Sequence, residues 1–188
     1  MARLNSFLFI TLNGYFEGPG RDISWHPHDA ESDAFSMEGL GSGSVLVFGR
    51  VTYELMAGWW PTPAAAHSFP EVARGMNAAE KIVFSRTLHQ AAWSNTRLLT
   101  DLVNEARKLK QASARDMTIL GSGSIVSQLA EHGLIDQYQF MLDPVALGDG
   151  TSVFNGLSER LNLQLLEARP FKNGSVLLTY QPAGVQRS

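Results

Sequence analysis

The order of strand-like and helix-like segments is the feature that most restricts the fold of this chain. Up to about residue 131, short apolar, β-rich runs alternate with segments of helical periodicity, and after that point strand candidates follow one another without a helix. The alternating part predicts a largely parallel sheet covered by helices, and the last part predicts an antiparallel hairpin that completes this α/β sheet. The strand candidates are 4–12, 45–48, 81–85, 117–120, 137–142, 161–167 and 175–181.

Helices are predicted between the earlier strands, and one long loop interrupts them. The helix candidates are 29–40, a helix start at 51–56, about 101–112, and 125–131. Segment 59–70 begins Trp-Trp-Pro-Thr-Pro, which favours a loop long enough to bind a ligand. The turn at 172–174, Lys-Asn-Gly, is typical of a hairpin. At 188 residues the chain fits a single domain, which we assign to 1–182 with a tail at 183–188.

Charge and cysteine content exclude several classes of function. The formal net charge is −3, and the densest basic group, at Arg107, Lys108 and Lys110, is typical of a solvated helix face rather than a nucleic-acid surface. The absence of cysteine excludes disulfides, thiolate metal sites and cysteine nucleophiles. The sequence shows neither an apolar leader nor a run long enough to span a bilayer, so we expect a cytoplasmic protein without a membrane or nucleic-acid partner.

A small-residue turn at 121–124, Gly-Ser-Gly-Ser, lies between a strand candidate and a helix candidate. In such a joint, unpaired backbone N–H groups and the positive end of the helix dipole point at one place, which suits a phosphate. The same turn can also be simple punctuation between two elements. An identical tetrapeptide at 41–44 follows a helix and precedes a strand, where it predicts only a helix C-terminal glycine and a loop.

The loops after the parallel strands share one edge of the predicted sheet, where open α/β sheets bind ligands. Arg50 and Arg86 follow two of these strands and could bind phosphate oxygens, with hydroxyls from Thr52 and Thr87 beside them. Each arginine alone could equally form a surface ion pair. Together with the 121–124 turn they predict an anion site, such as one for a dinucleotide with an extra phosphate.

These motifs together resemble the dihydrofolate reductase-like superfamily. The segments that carry the resemblance are Phe-Gly-Arg-Val-Thr-Tyr-Glu at 48–54, Ser-Arg-Thr at 85–87, Leu-Gly-Ser-Gly-Ser at 120–124, Gly-Leu-Ile-Asp at 133–136 and Pro-Val-Ala-Leu-Gly-Asp-Gly at 144–150. More closely, the chain is similar over almost its whole length to the reductase domain of bifunctional riboflavin-biosynthesis proteins and its stand-alone relatives. The resemblance implies a mixed eight-stranded sheet, NADPH as hydride donor and a homodimer.

The resemblance also implies roles for individual residues. The implied cofactor-binding residues are Gly49, Arg50 and Thr52 for phosphates, Ser85, Arg86 and Thr87 around the 2′-phosphate, and Gly121, Ser122, Gly123 and Ser124 for the pyrophosphate. In dihydrofolate reductases a helix carboxylate that lies sixteen residues before the glycine of the Gly-Arg pair supports protonation of the substrate ring, and Asp33 occupies this position. Asp29 and Glu31 lie on the same predicted helix, so Glu31 or solvent could supply the proton instead.

The substrate candidates are Asn13, Gly14, Trp25 and Trp60. The family's usual Ser-Leu-Asp-Gly reads Thr-Leu-Asn-Gly at 11–14, so a neutral amide replaces a carboxylate of the riboflavin-type site. The acceptor is therefore left open: a pterin, 5-amino-6-(5-phosphoribosylamino)uracil or a similar heteroaromatic compound. Trp25, Trp59 and Trp60 could stack on such a ring, although core packing explains one or two of them equally well. The fused zinc deaminase motif of the bifunctional enzymes does not occur.

Two other interpretations compete with a reductase. A metal site could use His26, His28, Asp29, Glu31 and Asp33. The two histidines stand in a loop without a well-placed third ligand, so we predict no metal. The other interpretation is a protein that binds the nucleotide but has lost its substrate pocket and does not catalyse a reaction.

Overall fold

A mixed sheet of eight strands forms the centre of the protein in a computed structural model, which describes residues 1–27, 29–41 and 43–184. The strands found in the described residues are β1 (Leu4–Thr11), β2 (Tyr15–Glu17), β3 (Val45–Gly49), β4 (Lys81–Phe84), β5 (Thr96–Leu99), β6 (Met117–Leu120), β7 (Gln137–Asp143), β8 (Thr151–Ser152), β9 (Leu163–Pro170) and β10 (Val176–Pro182). The α-helices are α1 (Ala30–Gly41), α2 (Arg50–Trp59), α3 (Pro63–Ser68), α4 (Pro70–Ala78), α5 (Leu102–Ala112) and α6 (Gly123–Glu131).

The strand order in the large sheet is β5-β4-β3-β6-β1-β7-β10-β9. Neighbouring strands from β5 to β7 are parallel, whereas β10 runs antiparallel to both β7 and β9. This arrangement confirms the predicted parallel sheet with an antiparallel C-terminal hairpin, and it confirms the eight strands that the resemblance implied. The two remaining strands, β2 and β8, form a separate small antiparallel sheet.

Hydrophobic side chains cover both faces of the large sheet, because successive side chains of a strand point to opposite faces. On β1, Leu4 and Leu8 belong to a cluster with α6, whereas Phe7 and Phe9 pack with Phe35 of α1 on the other face. A third cluster surrounds Phe48 of β3 and contacts α2 and α4. Parallel strands buried on both faces account for the continuous apolar runs in the sequence.

The prediction of a loop over 59–70 is wrong, because α3 begins at Pro63 and α4 begins at Pro70. Proline is favourable at the first position of a helix, where no intrahelical bond needs its missing N–H. The hydroxyl of Thr62 also accepts a hydrogen bond from the backbone N–H of Ala65, which caps α3. Residues that read as loop markers are therefore helix starts. The short strands β2, β5 and β8 were also not predicted.

Lys81, the first residue of β4, is fully buried and anchors the end of α4. Its ammonium group donates hydrogen bonds to the carbonyls of Asn77, Ala79 and Ser94 at 3.3, 2.7 and 3.2 Å. It also lies 4.3 Å from the centre of the Trp93 ring. Burial lowers the pKa of Lys81 to about 8, because removal from water disfavours the charged form.

If exposed, the apolar strands predicted at 137–142 and 175–181 would leave a patch that a symmetric dimer would cover, but this reason for a dimer is wrong because both strands are buried. Strands β7 and β10 lie inside the sheet, and Tyr138, Met141 and Leu177 are each at most 2% exposed. The edge strand is β9, where Leu165 and Leu166 are 50% and 46% exposed. The homodimer stays a prediction, with β9 as the apolar edge that a second copy could cover.

Of the predicted tail, 185–188 lies outside the described residues. Among the described residues, none of the helices is long and apolar enough to cross a membrane.

Candidate functional site

A cleft of about 800 Å³ opens at the carboxyl ends of β3, β4 and β6. It is lined by most of the residues assigned to cofactor binding from the sequence, namely Gly49, Arg50, Thr52, Ser85, Arg86, Ser122, Gly123 and Ser124. Thr87 and Gly121 are not among the lining residues that the structure describes. The topology therefore brings together three loops that are far apart in the sequence.

The first turn of α6 faces this cleft. Gly121 and Ser122 both have a left-handed backbone, with φ of 61° and 57°, and the helix begins at Gly123. The backbone N–H groups in the first turn of a helix have no acceptor within that helix. Because Gly123 and Ser124 line the cleft, their N–H groups and the positive helix end are available to an anion there.

The side chain of Ser122 joins two loops of the cleft. Its Oγ accepts a hydrogen bond from the backbone N–H of Gly49 at 2.8 Å and donates one to Oγ1 of Thr52 at 2.8 Å. The loops are closely packed, since a Cβ added at Gly49 would lie 2.9 Å from the Ser122 oxygen, and one at Gly121 would lie 3.0 Å from a Thr52 methyl group. The Ser122 hydroxyl therefore has a structural task in addition to lining the cleft.

Charged side chains stand at several points of the cleft. Arg50 forms an ion pair with Glu54 at 2.8 Å, one helical turn further along α2. Arg86 is exposed at the end of β4, next to Ser85, whose Oγ accepts hydrogen bonds from the N–H groups of Thr87 and Leu88. Thr87 thus takes part in a turn that holds Ser85 in place.

Asp101 lines the same end of the cleft and caps α5. Asp101 accepts hydrogen bonds from the side-chain amide and the backbone N–H of Asn104. These bonds, the side-chain bond more than the backbone bond, lower the pKa of the Asp101 carboxyl group, so it is charged at neutral pH.

The small sheet of β2 and β8 forms a further wall of the cleft and was not predicted from the sequence. Phe16 of β2 lies directly on Gly123, since a Cβ added at Gly123 would be 2.3 Å from the Phe16 ring. Glu17 and Arg21 line the cleft from the same wall. Three residues are too few to show the alternation of apolar and polar side chains that marks a strand in a sequence. The glycines near β2 were the available signal, because glycine is typical of places where segments pack closely.

The substrate candidates lie outside this cleft and have partners within the chain. Asn13 donates to the carbonyl of Leu147 at 2.7 Å and accepts the Leu147 N–H at 3.2 Å. Gly14, with φ of 83°, forms the turn beside it. Nε1 of Trp25 donates to the backbone carbonyl of Asp22 at 3.0 Å. Nε1 of Trp60 contacts the sulfur of Met56 at 3.1 Å. Their assignment to a substrate stays a prediction.

Asp33 lies in the first turn of α1 and is half-buried. It shares a helix face with Met37, four residues on, which packs against the cluster around Phe48. The alternative proton donor Glu31 accepts a hydrogen bond from the backbone N–H of Lys172 at 3.0 Å. Both carboxylates are half-buried and neither is among the described residues that line the cleft, so the assignment of the proton to Asp33 stays a prediction.

Known proteins with the same architecture identify the family. Residues 2–177 match the RibD C-terminal domain family. The chain belongs to this family. The chain is also 26% identical over 173 residues to the uncharacterized protein YyaP of Bacillus subtilis (strain 168), with 92% of this chain and 91% of YyaP covered.

Two solved structures show how far the RibD C-terminal fold extends. A putative riboflavin biosynthesis protein from Shewanella sp. PV-4 superposes with a TM-score of 0.75 at 18% identity, covering 97% of this chain and 99% of that one. The dihydrofolate reductase of Enterococcus faecalis, complexed with NADP(H) and RAB-propyl, gives a TM-score of 0.66 at 15% identity, with 96% of both chains covered. The fold is thus the dihydrofolate reductase-like α/β fold, and the family is reductase-like.

One motif that carries the resemblance to the RibD C-terminal family has a structural role here. Asp136, the last residue of Gly-Leu-Ile-Asp, accepts the backbone N–H of Leu4 at 2.8 Å and the ammonium of Lys110 at 2.6 Å. It therefore ties the start of β1 to the end of α5. Lys108 of the same basic group pairs with Glu105 at 2.7 Å, which agrees with a solvated helix face.

A buried polar cluster at the ends of β1 and β7 was missed by the sequence reading. Nδ1 of His26 lies 2.6 Å from Oδ2 of Asp143, and Oγ of Ser175 donates to Oδ1 of the same carboxylate at 2.6 Å. The His26 ring also stacks on Phe9, with centroids 3.6 Å apart. His26 is thus an element of the core. His28 lies outside the described residues, and within those residues no three His, Asp or Glu side chains are close enough to hold a metal ion.

Proposed function

We propose that this protein is an NADPH-dependent reductase that transfers a hydride to a small heteroaromatic acceptor. The observation that carries the proposal is the cleft itself. Arginines, hydroxyl groups and the positive end of the nine-residue helix α6 meet at the carboxyl edge of a parallel sheet. This is the position at which open α/β folds bind nucleotides, and the cleft volume is within the usual range for a cofactor site.

The residues of the cleft fit the parts of NADPH. A dinucleotide phosphate carries two separate groups of negative charge, the pyrophosphate and the 2′-phosphate. The start of α6 with Gly123 and Ser124 suits the pyrophosphate, because backbone N–H groups and the helix dipole both favour an anion. Ser85 and Arg86, at the other end of the cleft beside α5, suit the 2′-phosphate. Arg50, Gly49 and Thr52 lie beside α6 and complete the phosphate site in this proposal.

Reduction of a C=N or C=O bond needs a hydride on one atom and a proton on its neighbour. When bound, NADPH supplies the hydride. We assign the proton to the carboxyl group of Asp33, because it is half-buried in α1 at the position that the resemblance to dihydrofolate reductases implies. The acceptor class is a planar, nitrogen-containing ring, such as a pterin or 5-amino-6-(5-phosphoribosylamino)uracil, held between the 13–15 turn and α1.

The test compares the two nicotinamide cofactors. A charge-assisted hydrogen bond contributes about 1.5–3 kcal/mol, so Arg86→Ala should weaken NADPH binding roughly tenfold or more and leave NADH binding nearly unchanged. Arg74→Ala is the matched control, because Arg74 is an exposed arginine of α4 outside the cleft. Titration calorimetry measures both affinities. An equal loss for NADPH and NADH would place the 2′-phosphate elsewhere.

A binding protein without catalysis is the second candidate. The observation in its favour is that Asn13, Trp25 and Trp60 all contact other parts of this chain rather than an open pocket. The two functions differ in turnover. A catalytic protein oxidises NADPH steadily in the presence of at least one compound from a panel of pterins, pyrimidines, flavins and quinones. A binding protein binds NADPH tightly and oxidises it with none of them.

A further inference from the structure

A third arginine, Arg21, also lines the cleft. Arg21 follows β2 and lies on the wall to which Phe16 and Glu17 belong. The contact between Phe16 and Gly123 brings this wall against the first turn of α6. Arg86, by contrast, follows β4 and lines the cleft together with the start of α5. The two arginines therefore approach the cleft from different elements.

The backbone at Arg21 is unfavourable for an arginine. Its φ is 67°, directly after Gly20 with φ of 69°. A tight turn holds this conformation: the N–H of Arg21 donates to the carbonyl of Gly18 at 3.1 Å, and the N–H of Gly18 donates to the carbonyl of Asp22 at 2.8 Å. Glycine and asparagine adopt the left-handed region more readily than arginine does. An arginine at such a position indicates that its side chain serves a purpose.

The charges around Arg21 leave its guanidinium available to a ligand. Of the arginines that line the cleft, Arg50 is paired with Glu54. Arg21 and Arg86 take part in none of the ion pairs that the described residues form. The carboxylate of Glu17, on the same wall as Arg21, instead accepts a hydrogen bond from the Thr151 hydroxyl at 2.9 Å.

We propose that Arg21, which follows β2, binds the same pyrophosphate of the dinucleotide as the N–H groups of α6. This inference rests on the proposed function, because it assumes that a dinucleotide occupies the cleft. It gives the two unpaired arginines separate tasks: Arg21 binds the pyrophosphate, and Arg86 binds the 2′-phosphate. Of these two arginines, Arg86 then contributes to discrimination between NADPH and NADH, and Arg21 contributes to the general affinity for dinucleotides.

Two nucleotide fragments separate these tasks. ADP-ribose contains the pyrophosphate without a 2′-phosphate, and adenosine 2′-phosphate contains the 2′-phosphate without a pyrophosphate. Arg21→Gly should weaken ADP-ribose binding about tenfold and leave adenosine 2′-phosphate binding unchanged. Arg86→Ala should weaken adenosine 2′-phosphate binding about tenfold and leave ADP-ribose binding unchanged. Glycine and, in a second variant, Arg21→Asn both suit the left-handed backbone, so neither disturbs the turn. Arg21→Lys keeps the charge and should recover part of the affinity.

Titration calorimetry on the full chain gives the affinities, and thermal melting verifies that each variant is folded. Arg74→Ala, the exposed arginine control on α4, should bind both fragments as the unchanged protein does. If the unchanged protein binds neither fragment, the proposed function fails. If it binds both and Arg21→Gly weakens neither, or weakens both equally, the assignment of Arg21 is overturned while the proposed function stands.

Discussion

The Ser122 hydroxyl joins the loops after β3 and β6, and Ser122→Ala removes this connection. The backbone N–H of Gly49, which is buried, then loses its acceptor at 2.8 Å, and a buried donor without a partner costs about 1–3 kcal/mol. The lost hydrogen bond to the Thr52 hydroxyl adds about 0.5–1.5 kcal/mol. Alanine and serine both carry a Cβ at the same φ of 57°, so the variant does not change backbone strain. We expect a total loss of about 2–4 kcal/mol in the free energy of unfolding.

Urea denaturation measures this loss directly. Thr52→Val removes one partner and keeps the shape of the side chain, so a cycle with Ser122→Ala and the double variant isolates the bond between the two hydroxyls. The coupling energy should be about 0.5–1.5 kcal/mol. Ser124→Ala is the control, because Ser124 is an exposed serine of the same turn, and its variant should stay within about 0.5 kcal/mol of the unchanged protein.

If Ser122→Ala unfolds at the same urea concentration as the Ser124→Ala control, the hydroxyl does not hold the loops together. If the effects of Ser122→Ala and Thr52→Val simply add, the two side chains do not interact in solution.

Four further outcomes are expected. Asp33→Asn should lower turnover about 10²–10⁴-fold on an identified acceptor without changing NADPH affinity. Normal turnover would show that Glu31 or solvent donates the proton instead. Lys81 has a pKa of about 8 in the fold against 10.5 for a free side chain, so the unfolded chain binds more protons between these values. The free energy of unfolding should therefore rise from pH 8 to 10.5 relative to that of Lys81→Met. The same pH dependence of the free energy of unfolding in both proteins would contradict this. Asp143→Ala breaks a buried pair and should cost about 3–5 kcal/mol in denaturation, whereas Glu71→Ala, at an exposed ion pair, should stay within about 1 kcal/mol. Light scattering should give twice the chain mass of 20.6 kDa, and charged residues at the exposed leucines of β9 should return a monomer; a monomeric unchanged protein would end the dimer prediction.

Local patterns in the sequence predict most of the large sheet because its strands are short apolar runs that no other structure accommodates. The runs that became β3, β4 and β6 lie at the centre of the parallel sheet, and they were predicted to within a residue. The same argument locates the loops that follow them, since the carboxyl ends of parallel strands share one edge. Arg50, Arg86 and the 121–124 turn could therefore be assigned to one site without a structure.

The helices that begin at prolines and the very short strands were not predicted from the sequence, for different physical reasons. Pro63 and Pro70 start helices, and only the capping and packing around them distinguish a helix start from a loop. Strand β2 has three residues and exists because β8 and the start of α6 pack against it. A strand stabilised by distant partners leaves no periodic pattern of its own.

The sequence by itself determined the fold class, the edge of the sheet that carries the cleft, and most of the residue types that line the cleft. Only the tertiary structure decided the partners of these residues. Ser122 joins Gly49 and Thr52 across 73 and 70 positions, and Asp143 meets His26 and Ser175 inside the core. Arg21 became a cleft residue in the same way, because β2, the strand before it, packs against the start of α6. Local propensities act over a few residues, whereas such contacts depend on strand order and crossovers, which bring distant segments together only when the sheet has formed.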